Sequence, residues 1–230
     1  MLARLWVRLR LPLVVACFVG GGVLLSTPVW SAWWMHHVQA QQARVFAARM
    51  AAGAGVTGLI LPTAIARGGP GTTRPLPVRA GTPKAGPRPA LAQLRVPAIG
   101  LDAYVLDGLT YAPAVWVRVL RDGPAHLAGS ALPGQPGNVV IFGHLNIWGS
   151  VFYRLHRLHP GNRVVLTDPS GRFTYTVTGS RLIAPTDVAA VAPRHSGPAT
   201  LQLVTCGGAF DQKRLLVDAT LTAKAAPSSG

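Results

Sequence analysis

From Leu91 onward the sequence falls into short, β-branched apolar runs separated by turn signals, and this alternation does most to limit the folds open to the chain. Six runs stand out: QLRVPAIG at 93–100, NVVIFGH at 138–144, NRVVLTD at 162–168, RFTYTVTG at 172–179, TLQLVTC at 200–206 and RLLVDATLT at 214–222. In the fourth, Phe173, Tyr175 and Val177 alternate with threonines, the period of two that a half-buried strand requires. DPSG at 168–171 provides the turn before it. SVFYRLHRL at 150–158 predicts one or two helical turns, with Ser150 as cap and Val151, Leu155 and Leu158 on one face. Trp116 and Trp148 read as core residues, and Asp102 and Asp107 as loop or turn residues. The pattern predicts an all-β sandwich or barrel over 91–225, long enough for a single core, with a disordered tail at 226–230.

The N-terminal part has a different character. No Asp, Glu, Lys or Arg lies between Arg10 and Arg44, and residues 11–34 are apolar and long enough to cross ~30 Å of hydrocarbon as a helix. Arg4, Arg8 and Arg10 precede this run, and Trp30, Trp33 and Trp34 end it, at the level where amphipathic rings favour headgroups. These features predict a cytoplasmic N-terminus at 1–10, a transmembrane helix at 11–34 and an extracellular remainder. Two weaker alternatives are cleavage at VWSA (29–32) and acylation at VVAC (14–17). Residues 35–90 read as a helical extension that frays at Gly53, Gly55 and Gly58, then a Pro/Gly-rich linker able to hold the next domain tens of ångströms from the bilayer. Ten of the 22 basic residues and none of the seven acidic ones fall within 1–90, so most of the +15 charge lies outside the β-rich region. Without a clustered basic face or a known module, that charge excludes a nucleic-acid reading and suits a membrane or anionic envelope.

In TLQLVTCGGAF (200–210) a lone cysteine ends a strand-like run. An exported domain sits in an oxidising compartment, where a cysteine with no intramolecular partner is either buried and inert or kept for chemistry. As a nucleophile Cys206 needs a base, and the exported part offers His126, His144, His156, His159 and His195, with His36 and His37 nearer the membrane. His144 closes an apolar strand, so it is the first candidate, and His126 is held in reserve. Arg214 lies across the loop GGAFDQK from Cys206; if the flanking strands pair antiparallel, its guanidinium meets the thiol at one sheet end. A fixed cation there can stabilise an acyl-transfer oxyanion, an effect worth ~3 kcal/mol. Taken singly, each residue also has an ordinary role: a buried strand thiol, a structural imidazole, a surface partner for Asp211 or Asp218.

Together, the His of GNVVIFGH, the Cys of TLQLVTC and the Arg of RLLVDATL, in that order, resemble the signature of the sortase family of membrane-anchored cysteine transpeptidases. RVPAIGLDAYV (95–105), GPAHLAGSALPGQPGN (123–138) and VFYRLHRLHPGNRV (151–164) are similar to family segments in the same order, so the likeness runs from about Leu91 to Leu221. The resemblance implies a closed eight-stranded β-barrel. It implies Cys206 as nucleophile, His144 as general acid and base, Arg214 as oxyanion or substrate stabiliser, and Thr205 as a substrate-binding position. The partners it implies are a secreted protein bearing an LPxTG-like C-terminal sorting signal and an amine from a cell-wall precursor or a pilin. The segment after 183 is short and lacks Glu, so an acidic calcium site is unsupported and no metal or other cofactor is expected. The class leans toward E or F. An L,D-transpeptidase usually sets its His and Cys close together, and a papain-like hydrolase sets Cys before His; neither order is found here. A catalytically silent, tethered binding barrel is the remaining alternative.

Overall fold

The computed structural model describes residues 29–51 and 90–226. Eight strands close into a barrel: β1 (Ala90–Val96), β2 (Leu101–Leu109), β3 (Ala125–Leu127), β4 (Gly137–Phe142), β5 (Arg163–Asp168), β6 (Gly171–Ile183), β7 (Ala199–Gly207) and β8 (Lys213–Ala225). Around the barrel the order is β1-β2-β3-β4-β7-β8-β6-β5. β2–β3 and β4–β7 are parallel, and the other neighbours are antiparallel. Two helices accompany it: α1 at residues 29–51 and α2 at Pro113–Asp122.

The two-residue period decides which side chains fill the barrel. Phe173, Tyr175 and Val177 of β6 enter an interior core with Val139 and Ile141 of β4, Leu201 and Leu203 of β7, and Val217 and Ala219 of β8. Alternate residues point outward into a second apolar layer under α2, formed by Val140, Phe142, Val204 and Leu216 with Val119 and Leu120. The DPSG turn forms as its residues require, with the Asp168 carboxylate accepting from the amides of Ser170 and Gly171.

Two local expectations are corrected. Asp102 and Asp107 stand in β2 instead of in loops, and Asp102 pairs with Arg95 at 3.4 Å. Residues 150–158 form turns and a 3₁₀ segment at Leu155–Arg157, because Ser150 takes φ 49°, outside the extended region an N-cap needs. Leu155 and Leu158 still pack into the core, so the shared face survives without the α-helix. The Trp34 indole donates to Asp122 Oδ1 at 3.1 Å and lies under the Arg121 guanidinium.

α1 docks on the barrel. Gln39 of α1 accepts from the Tyr104 amide at 2.6 Å and donates to the Asp122 carbonyl at 3.1 Å, and Phe46 packs on the Tyr104 ring. Arg49 donates to the Ala90 carbonyl, so the last turn of α1 meets the first residue of β1. Among the described residues no helix is long and apolar enough to cross a membrane. Most of the expected span, residues 11–28, lies outside the described residues, as do the N-terminus at 1–10, the linker at 52–89 and the tail at 227–230.

Candidate active site

Three adjacent strands carry or lead into the expected residues. β4 and β7 run parallel with Phe142 beside Val204, and the Gly143 amide extends the ladder by donating to the Val204 carbonyl at 3.0 Å. His144 follows Gly143, just past the end of β4. On the other side β8 runs antiparallel, and Arg214 is the register partner of Cys206. Cross-strand neighbours lie about 5 Å apart, so the backbones at Cys206 and Arg214 are adjacent. By alternation Cys206 and Arg214 share the outward face with Val204 and Leu216.

Cys206 is half-buried, so its sulfur is not sealed in the core. His144 is also half-buried, and desolvation holds its imidazole below the usual histidine value. The ring is therefore neutral near pH 7 and ready to take the thiol proton. A lowered value extends the basic form toward acid, so the acid limb of kcat/KM governed by His144 is expected below about pH 6.5. A limb above that value in a pH–rate profile would contradict the geometry. Arg214 Nη1 donates to the carbonyls of Asp211 and Lys213 at 3.3 and 3.1 Å, which fixes the guanidinium at the loop. The carboxylates proposed as its surface partners are engaged elsewhere: Asp218 with Arg181, and Asp211 with Asn146 Nδ2 at 2.6 Å.

Thr205 is 2% exposed, and its hydroxyl donates to the Gly143 carbonyl at 2.8 Å. It thus ties the end of β7 to the residue before His144. His126, the reserve base, is likewise buried: Nδ1 lies 2.9 Å from Asp107 Oδ1, and Nε2 3.0 Å from the Ala131 carbonyl. Its ring nitrogens are both occupied, so it braces β3 away from the thiol.

A groove of about 300 Å³ runs up to Arg214 over the outer apolar layer. Its walls include Tyr111 and Trp116 beside α2, Phe142 and Val204 in the sheet, and Ile183 and Val188 after β6. Trp116, expected in the core, thus faces this groove. The sequence reading missed this wall, although PAVWVRVLRD carries the signal for α2: proline in the first turn, Val115, Trp116, Val119 and Leu120 on one face, and Gly123 at the end. A larger cavity of about 570 Å³ lies between α1 and the barrel and touches none of Cys206, His144 and Arg214. In the β7–β8 loop Phe210 is 94% exposed, with φ at 53°.

Comparison with known proteins gives a consistent result. The model of the Sortase domain family matches residues 94–222. Among solved structures, sortase E from Streptomyces avermitilis is 33% identical, with 61% of this chain and 93% of that one covered and a TM-score of 0.53. A Clostridium perfringens sortase D5 transpeptidase is 25% identical over 59% and 80% of the two chains, with a TM-score of 0.52. Sortase A from Corynebacterium diphtheriae is 27% identical over 62% and 64%, with the same TM-score. A search of curated proteins finds no match.

Proposed function

This chain belongs to the sortase family of cysteine transpeptidases, and from that premise we propose that Cys206, His144 and Arg214 perform acyl transfer on a peptide lying in the α2-side groove. The observation that supports this reading is the β4–β7–β8 register: Arg214 is the partner of Cys206, and β4 runs parallel to β7 up to Phe142 beside Val204, two residues before His144 and Cys206. His144 takes the Cys206 proton as the sulfur attacks a peptide carbonyl. Arg214, which cannot lose its charge, stabilises the oxyanion. The C–N bond then breaks, the imidazolium returns its proton to the departing amine, and a thioester remains on Cys206. An incoming amine reverses the sequence: His144 accepts its proton, the new amide forms and the thiol is released.

The apolar groove suits an extended segment rich in Leu and Pro, which supports an LPxTG-like sorting signal at the C-terminus of a secreted protein. An amine of a cell-wall precursor or a pilin is the corresponding acceptor. The identity with sortase E over 93% of that chain supports class E over class F. Membrane attachment through 11–34, with the barrel outside the cell, rests on the uncharged apolar run and the arginines before it. The reaction as written draws on these side chains alone and calls for no metal or organic cofactor.

To test the reading, the full chain in detergent is incubated with a library of sorting-signal peptides and a small amine, and products are read by mass spectrometry. Cleavage within one motif together with exchange onto the amine is expected. Recovery of every peptide intact would overturn the substrate assignment, and cleavage without exchange would make the enzyme a hydrolase.

A further inference from the structure

We propose that α1 is a strap that fixes the loop carrying His144, with Met35 as its positioning residue; this rests on the role proposed for His144. After β4 the chain bends back so that the Phe152 amide donates to the His144 carbonyl at 3.0 Å. Within the bend Trp148, Gly149 and Ser150 take φ values of 49°, 78° and 49°, three successive left-handed residues. Tryptophan and serine adopt that region at a cost and stay there only when their surroundings hold them.

The bend is held from two sides. From inside, fully buried Phe152 lies so close under Gly143 that a Cβ there would sit 2.6 Å from its ring. From outside, Met35 lies against one side of Gly149: a Cβ on Gly149 would lie 2.6 Å from Met35 Cγ, and Met35 is itself 8% exposed, while Gly149 is otherwise open. One turn along α1, Gln39 is bonded to both Tyr104 and Asp122, so the helix cannot slide without breaking those bonds. Alongside Met35 the open cavity between α1 and the barrel runs past Gly149, Ser150, Tyr153 and Arg154, so this stretch of the bend has little other cover. His144 is thus set by its strand on one side and, through the bend that reaches Gly149 five residues later, by α1 on the other.

The test compares Met35→Ala, Met35→Leu and Phe46→Ala in the full chain, with His144→Ala as reference. Phe46 is 5% exposed and packs on Tyr104 in the later turns of α1, so its loss loosens the same helix away from the bend. Met35→Ala is expected to lower kcat about tenfold, the scale of a small misplacement of a reacting group, with KM changed by less than about twofold. Met35→Leu restores the rate. Phe46→Ala lowers the melting temperature at least as far as Met35→Ala does, yet keeps kcat near wild type. Wild-type kcat in Met35→Ala, or an equal loss in Phe46→Ala, overturns the strap while His144→Ala stays inactive. If His144→Ala is itself active, the underlying assignment fails instead. Should Met35→Ala not fold, Gln39→Ala is expected to give the same loss of kcat, and wild-type turnover in it rejects the proposal.

Discussion

Replacing Cys206 with Ala is expected to abolish both peptide cleavage and exchange onto an amine, lowering kcat/KM by about a thousandfold or more while leaving peptide binding and the melting temperature near wild type. The size follows from the chemistry. A methyl group cannot form a thioester, so the path through a covalent intermediate is lost altogether, and only the groove and the Arg214 cation remain to act. Stability is spared because Cys206 lies at the end of β7, half-exposed, and fills neither the inner nor the outer apolar cluster. Steady-state kinetics with a cleavable peptide and a thermal melt of the same preparation provide the check. Wild-type products from Cys206→Ala would remove the thiol from the mechanism.

Replacing His144 with Ala is expected to cost about 10³-fold in kcat/KM, within the range for general acid–base groups. In each half-reaction the ring must both take up a proton and give it back, off the thiol and onto the leaving amine in the first, so no single pH compensates for its loss. Desolvation already keeps the ring neutral. The acid limb of the profile should therefore vanish along with the activity. A His126→Ala variant separates this effect from general damage: His126 braces Asp107 and Ala131, so its loss lowers stability while leaving the shape of the pH profile unchanged. If His126→Ala reshapes the profile and His144→Ala does not, the base has been misassigned.

Much of the barrel could be read from local pattern, because the interior face imposes a strict period of two. Phe173, Tyr175 and Val177 enter the core as their alternation requires, and the runs at 138–144, 162–168, 200–206 and 214–222 match the bounds of β4, β5, β7 and β8 to within three residues. β2 escaped because LDAYVLDGL carries Asp102 on its exposed side and Asp107 and Gly108 near its end, and the partners of the two carboxylates, Arg95 and His126, lie on other strands. β3 has three residues, too few to show a period. The pairing of Cys206 with Arg214 was legible because a hairpin converts sequence spacing into register. The grouping of His144 with Cys206 came from order in the chain and family likeness, because the parallel β4–β7 contact joins segments 62 residues apart, which no local pattern encodes. A motif likewise marks a position but not which face its side chain takes: the alternation along β7 turns Thr205 inward when Cys206 points outward. The docking of α1 was hidden because Gln39 bonds to the main chain of β2 and α2, which any sequence could offer.

The acyl-enzyme is the most direct measure of whether folding has made this cysteine a nucleophile. The full chain is mixed with a sorting-signal peptide without added amine, quenched in acid, digested and mapped by mass spectrometry. A mass increase equal to the N-terminal part of the cleaved peptide, on the fragment containing Cys206 and reversed by hydroxylamine, is the predicted result. Cleavage with Cys206 unmodified under conditions that trap other thioesters, or an adduct at a different residue, would contradict it.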